Sequence, residues 1–133
     1  MPSSPRRVST ALAATALFTA GFAACASTAS AKSDLSIGTT ARTVAVGGVV
    51  GVHAEGTTDD FGGAPIRLCI EERVGAHAWR TLGCTAGYRL SVPVRPTVRG
   101  EVFFRSQLIA LPGAHHGHRV VDRTSETLSV QVR

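Results

Sequence analysis

Three imidazoles in four positions, His115, His116 and His118, form the densest run of chemically versatile side chains in the sequence, with Asp122 four residues further on. Imidazole nitrogens bind zinc, copper and nickel, and an aspartate oxygen completes many such sets. The spacing argues against a built site. Adjacent side chains of an extended backbone point apart, and a loop that follows Leu111-Pro112-Gly113 does not hold ligands in fixed geometry. The expectation is a solvated loop and no resident metal or other cofactor. Asp59 and Asp60, with Glu55 nearby, are carboxylates beside a glycine-bearing loop, a composition that suits calcium. They lack EF-hand spacing, and aspartates that hydrogen-bond their own backbone explain them as turn formers. Cys69 and Cys84 form the third set. They lack the Cys-x-x-Cys spacing of a redox pair, so the reading is a structural disulfide. Closing a loop of about 15 residues stabilises a small domain by roughly 3 kcal/mol.

No Gly-x-Ser-x-Gly elbow, His-Glu-x-x-His pair or phosphate-cradling glycine loop occurs, so no catalytic residue is assigned and the chain is expected not to be an enzyme. The amino-terminal segment carries a clearer message. Arg6 and Arg7, an apolar run from Ala11 to Ala24, and Ala29-Ser30-Ala31 have the three parts of a cleavable export signal spanning residues 1–31. The apolar run is too short to span a bilayer. The mature chain, residues 32–133, is expected to be one secreted domain without an integral membrane segment. An oxidising compartment also favours the Cys69–Cys84 bridge. Cys25 raises an alternative, since Phe22-Ala23-Ala24-Cys25 resembles the lipobox of bacterial lipoproteins, with Phe22 where leucine is usual. Lipidation at Cys25 would leave a membrane-anchored lipoprotein. The mature charge is modest: 12 basic and 9 acidic residues, net +3. Arginines are scattered among acids and form no basic stripe, so no nucleic-acid partner is expected.

The elements that must carry these residues are strands. From Leu35 onward, short β-branched runs of period two alternate with Gly, Pro, Asp and Thr clusters, and no helical period is sustained. Val44 and Val46 alternate first. Val50, Val52 and Ala54 then share one face, with His53 and Glu55 on the other. Ile66, Leu68 and Ile70 face inward on the next strand. Val74 to Ala78 reads as a hairpin loop around Gly75, which sets Cys69 opposite Cys84 and Val74 opposite Trp79, with Trp79 anchoring the core edge. Leu90, Val92 and Val94 follow, and Pro93 marks an edge strand. Gly100 opens a strand that buries Val102, Phe104, Ser106 and Leu108, and Leu128, Val130 and Val132 close the domain. About seven strands in this length predict an all-β, immunoglobulin-like Greek-key sandwich with one hairpin disulfide.

The run Val46-Gly47-Gly48-Val49-Val50-Gly51-Val52, Gly63 ahead of Ile66-Arg67-Leu68, Trp79 on the next strand and Gly100-Glu101-Val102-Phe103-Phe104-Arg105 resemble bacterial immunoglobulin-like domains of secreted and cell-surface proteins. That resemblance, carried mostly by turn glycines and core apolar positions, implies a fold far more than an activity. Antibody-type domains join their sheets with a disulfide between the second and sixth strands, whereas this pair staples one hairpin. A stapled hairpin in a small sandwich also resembles, in architecture alone, the neocarzinostatin group of chromophore carriers, without that group's second disulfide. Strand neighbours in immunoglobulin topology would place Arg67, Glu71, Arg73, Phe103, Arg105 and Gln107 on one solvent face. Arginine and exposed aromatics favour partner surfaces, although alternating charges also suit an ordinary solvated face. The expected function is a secreted non-catalytic module, either for extracellular binding or as an envelope-associated accessory protein, whose unknown partner is an extracellular protein or envelope component. The alternatives are a small-ligand carrier or a secreted inhibitor acting through the end loops at Asp59 to Gly63 or His115 to His118.

Overall fold

A computed structural model describes residues 33–58, 65–110 and 120–133. Among these the secondary structure is entirely strand: β1 (Ser33–Thr39), β2 (Thr43–Val44), β3 (Val50–Thr58), β4 (Ile66–Val74), β5 (Arg80–Thr85), β6 (Arg89–Val94), β7 (Gly100–Ala110), β8 (Val120–Thr124) and β9 (Leu128–Val132). They build two facing sheets. The smaller has the order β1-β3-β6; the larger has the order β2-β9-β7-β4-β5, with β8 also on β7. Besides the excursion of β2 into the larger sheet, the chain changes sheet between β3 and β4, between β5 and β6 and again between β6 and β7, which is the Greek-key wiring of an immunoglobulin-like sandwich.

Nine segments stand where about seven were expected because the first and last strands are each divided. β1 lies in the smaller sheet, while β2 joins the larger one parallel to β9. The expected Val44–Val46 strand shrinks to Thr43–Val44, and Val46 is exposed, its N–H donating to the Arg133 carbonyl. β8 and β9 both pair with β7 and are separated by residues 125–127. Ser125 bridges that break. Its N–H donates to the Ser106 carbonyl, and its hydroxyl accepts the Ser106 N–H at 2.8 Å.

Side-chain alternation fills the space between the sheets as the pattern of apolar residues dictates. Val50, Val52 and Ala54 of β3 are buried while His53 and Glu55 are exposed. Leu68 and Ile70 of β4 and Val102, Phe104 and Leu108 of β7 meet them from the larger sheet, with Val130 and Val132 completing the layer. Ser106 is fully buried among these apolar groups, and its hydroxyl donates across the sandwich to the Ser36 carbonyl of β1. A buried hydroxyl without such an acceptor would be costly. β6 is an edge strand paired only with β3, so Pro93 loses no ladder bond on its outer side.

The β4–β5 hairpin decides where the candidate site lies. Cys69 pairs directly with Cys84, and the two sulfurs are bonded at 2.02 Å. The register continues to Ile70 opposite Gly83 and then slips, placing Glu71 opposite Thr81 and leaving Leu82 as the extra residue of a bulge. Leu82 packs against the core beside Gly83. From there toward the turn every side chain of β5 is reversed relative to an unbroken ladder. Arg80 joins Glu72 on the inner side, and Trp79 moves to the outer side. Trp79 is therefore not the expected core anchor, and its partner across the hairpin is not Val74.

Candidate functional site

The strands β4 and β7 pair antiparallel along their length, with Arg73 opposite Phe103 and Glu71 opposite Arg105. All four project from the outer face, because the alternate residues Ile70, Phe104 and Ser106 of the same strands are buried on the side facing the other sheet. The bulge in β5 adds Trp79 to the same face. Contact then runs continuously through the group. The Arg73 guanidinium lies 4.8 Å from the Phe103 ring centroid and 4.9 Å from that of Trp79. Arg105 lies 4.2 Å from the indole, and its Nε donates to the Glu71 carboxylate at 2.7 Å. A cation against an aromatic face contributes about 0.5–2 kcal/mol, more as water is excluded. Here water is partly excluded: the Arg105 and Glu71 side chains retain 25% and 11% of their exposure.

Of the face expected from the sequence, the structure gathers Arg73, Phe103 and Arg105 and leaves Arg67 apart. Arg67 is exposed opposite Ile109, six residues along β4 from Arg73, a distance of about 20 Å. Glu71 and Gln107 are on this side but buried, each at 8%, so they support the face without presenting themselves to a partner. Gln107 sits between Cys69 and Thr124 and donates to the Thr124 hydroxyl at 3.2 Å. Trp79 was missing from the expected set. A glycine inside a short strand, Gly83, is the sequence signal of a bulge that would have placed it.

The other candidates divide by location. Cys25, Asp59, Asp60, His115, His116 and His118 lie outside the described residues, as does the leader. Asp122, considered as a metal ligand beside the histidines, accepts a hydrogen bond from Ser33 at 2.9 Å. Glu55 forms an ion pair with Arg89 at 2.9 Å on the smaller sheet. Among the described residues no group of three His, Cys, Asp or Glu is assembled as a metal would require. A crevice of about 250 Å³ opens between the sheets, floored by Ile66, Leu68 and Leu108 and flanked by Thr57, Thr58 and Tyr88.

No protein-family model matches the chain, and no curated protein matches it. Among solved structures, the crystal structure of a CARDB domain from Pyrococcus furiosus, in complex with di-metal ions, is similar to 76% of this chain. It aligns over 89% of its own chain, at 15% identity and a TM-score of 0.40. A likeness of that strength assigns no activity, and the ions of that crystal belong to that protein.

Proposed function

We propose that the chain is an exported, non-catalytic immunoglobulin-like module that binds an extracellular protein or envelope component through the outer face of β4 and β7 around Trp79. The observation that carries this reading is the convergence of Arg73, Trp79, Phe103 and Arg105 on a sheet face that the second sheet does not cover. Arginine and tryptophan are enriched where interfaces derive their energy, and stacking fixes their rotamers before a partner arrives. The export signal read at residues 1–31 supplies the location, with Cys25 lipidation as the anchored variant of it.

The test is affinity capture from culture medium and envelope, with the protein matured from the full chain as bait. A partner retained by the wild-type protein and by Arg89→Gln on the opposite sheet, yet lost by Phe103→Ser, supports the face. Equal capture by Phe103→Ser removes it. A second reading, a small-ligand carrier, has one observation in its favour, the inter-sheet crevice beside Tyr88. An apolar naphthalene fluorophore should brighten with the native protein and stop doing so in Ala86→Phe, which crowds that opening. A response unaffected by that substitution rejects the carrier reading.

A further inference from the structure

Arg105 and Arg73 both lie against the indole of Trp79, and only one of them has a counterion. Arg105 Nε donates to the Glu71 carboxylate at 2.7 Å. Arg73 Nε is buried and has no hydrogen-bond acceptor among the described residues. No carboxylate there forms an ion pair with Arg73, whereas Arg80, Arg89 and Arg105 each have one. Glu101, two residues from Phe103 on the same side of β7, is exposed and takes part in none of these pairs. A guanidinium packed against two rings keeps its in-plane N–H edge as the route to an acceptor, and a planar carboxylate matches that edge. The molecule already shows what satisfies an arginine in this stack, since Glu71 does so for Arg105.

Resting on the reading of this face as the interaction surface, we infer that Arg73 is the seat for an aspartate or glutamate carboxylate of an acidic segment in the protein partner. The pre-stacked rings reduce the ordering cost of binding, and the half-buried guanidinium gains, through its accessible N–H groups, the counterion it lacks. Specificity follows from the same geometry. An amide side chain of identical shape offers no charge, and an ammonium in place of the guanidinium offers no planar edge.

Trp79 is the single tryptophan of the sequence, so its fluorescence reports this seat directly. Protein matured from the full chain is titrated with hexaglutamate, with hexaglutamine and with inorganic polyphosphate at about 0.15 M salt, where long-range attraction is screened. The expected result is a saturable change with hexaglutamate and none with hexaglutamine. In Arg73→Gln the affinity for hexaglutamate falls at least about fivefold, and Arg89→Gln leaves it unchanged. Arg73→Lys keeps the charge without the planar edge and binds with intermediate strength; its melting midpoint shows whether the stack survives. No saturable response to hexaglutamate, equal affinity in Arg73→Gln, or Arg73-dependent binding of polyphosphate that exceeds hexaglutamate overturns the inference. A captured partner lost in Phe103→Ser but retained in Arg73→Gln leaves the interaction face standing and removes only the carboxylate. Capture equal in Phe103→Ser removes the face itself.

Discussion

The two outer faces of the sandwich use the same components to different effect. On the smaller sheet, Arg89 stacks on Tyr88 at 5.3 Å and pairs with Glu55, but the two charged side chains keep 66% and 55% of their exposure. On the larger sheet, Arg105 stacks on Trp79 at 4.2 Å and pairs with Glu71, and both are largely withdrawn from water. The difference is one of context. Glu71 and Arg105 are direct cross-strand neighbours between β4 and β7, with the indole supplied by Trp79 just ahead of β5. Arg89 and Glu55 are also cross-strand neighbours, yet they sit where β6 forms an edge. Exposed pairs of this kind contribute about 0–1 kcal/mol, whereas a shielded charge that loses its partner costs several times more. Similar chemistry therefore yields a shielded platform on one side and an ordinary solvated surface on the other.

The contrast is broken most severely by removing the covalent support beside the platform, on the same face of β4. Replacing Cys69 and Cys84 together with serine should lower stability by about 3 kcal/mol, read from the urea midpoint; a loss below about 1 kcal/mol would mean that β5 is held by its ladder alone. Glu71→Gln comes next. It leaves the Arg105 charge shielded and unpaired, for an expected loss of about 2 kcal/mol, and a loss no larger than that of Glu55→Gln would erase the distinction between the faces. A double-mutant cycle between Arg105 and Trp79 should return a coupling near 1 kcal/mol, while the corresponding cycle between Arg89 and Tyr88 should return less than half of it. The smallest effect is Glu55→Gln itself, within about 0.5 kcal/mol at low salt. Raising sodium chloride to about 1 M should abolish that difference and leave most of the Glu71 effect in place.

Much of this arrangement was legible from periodicity. The Cys69–Cys84 pairing, the opening of β7 at Gly100 and the inward set Val102, Phe104, Ser106 and Leu108 follow from alternation and turn placement, whereas the neighbouring of the strands that carry Arg73 and Phe103 was expected only from immunoglobulin topology. Trp79 did not. A hairpin register extrapolated from its disulfide assumes an unbroken ladder, and one extra residue at Leu82 reverses every side chain beyond it. β1 was weakly written because Ser33, Asp34, Ser36 and Gly38 dilute the signal of Leu35 and Ile37. Its place is set by pairing with β3 more than by propensity. The burial of Glu71 and Gln107 was equally hidden, since alternation gives the side of a sheet but not what lies over it. Cation contacts with rings depend on that third dimension.

The Ser106 hydroxyl, donating from one layer to the Ser36 carbonyl of the other, is a directional link set inside the apolar slab, whereas the Ser33–Asp122 bond between the same layers runs from β1 to β8. Oily surfaces slide with little penalty, but a displacement of one layer by one residue would strand this donor in a dry environment. The bond thus acts as a key in a keyway. It adds modestly to adhesion, and it selects one alignment of the layers, so the β4–β7 platform sits above the same floor in every folded copy.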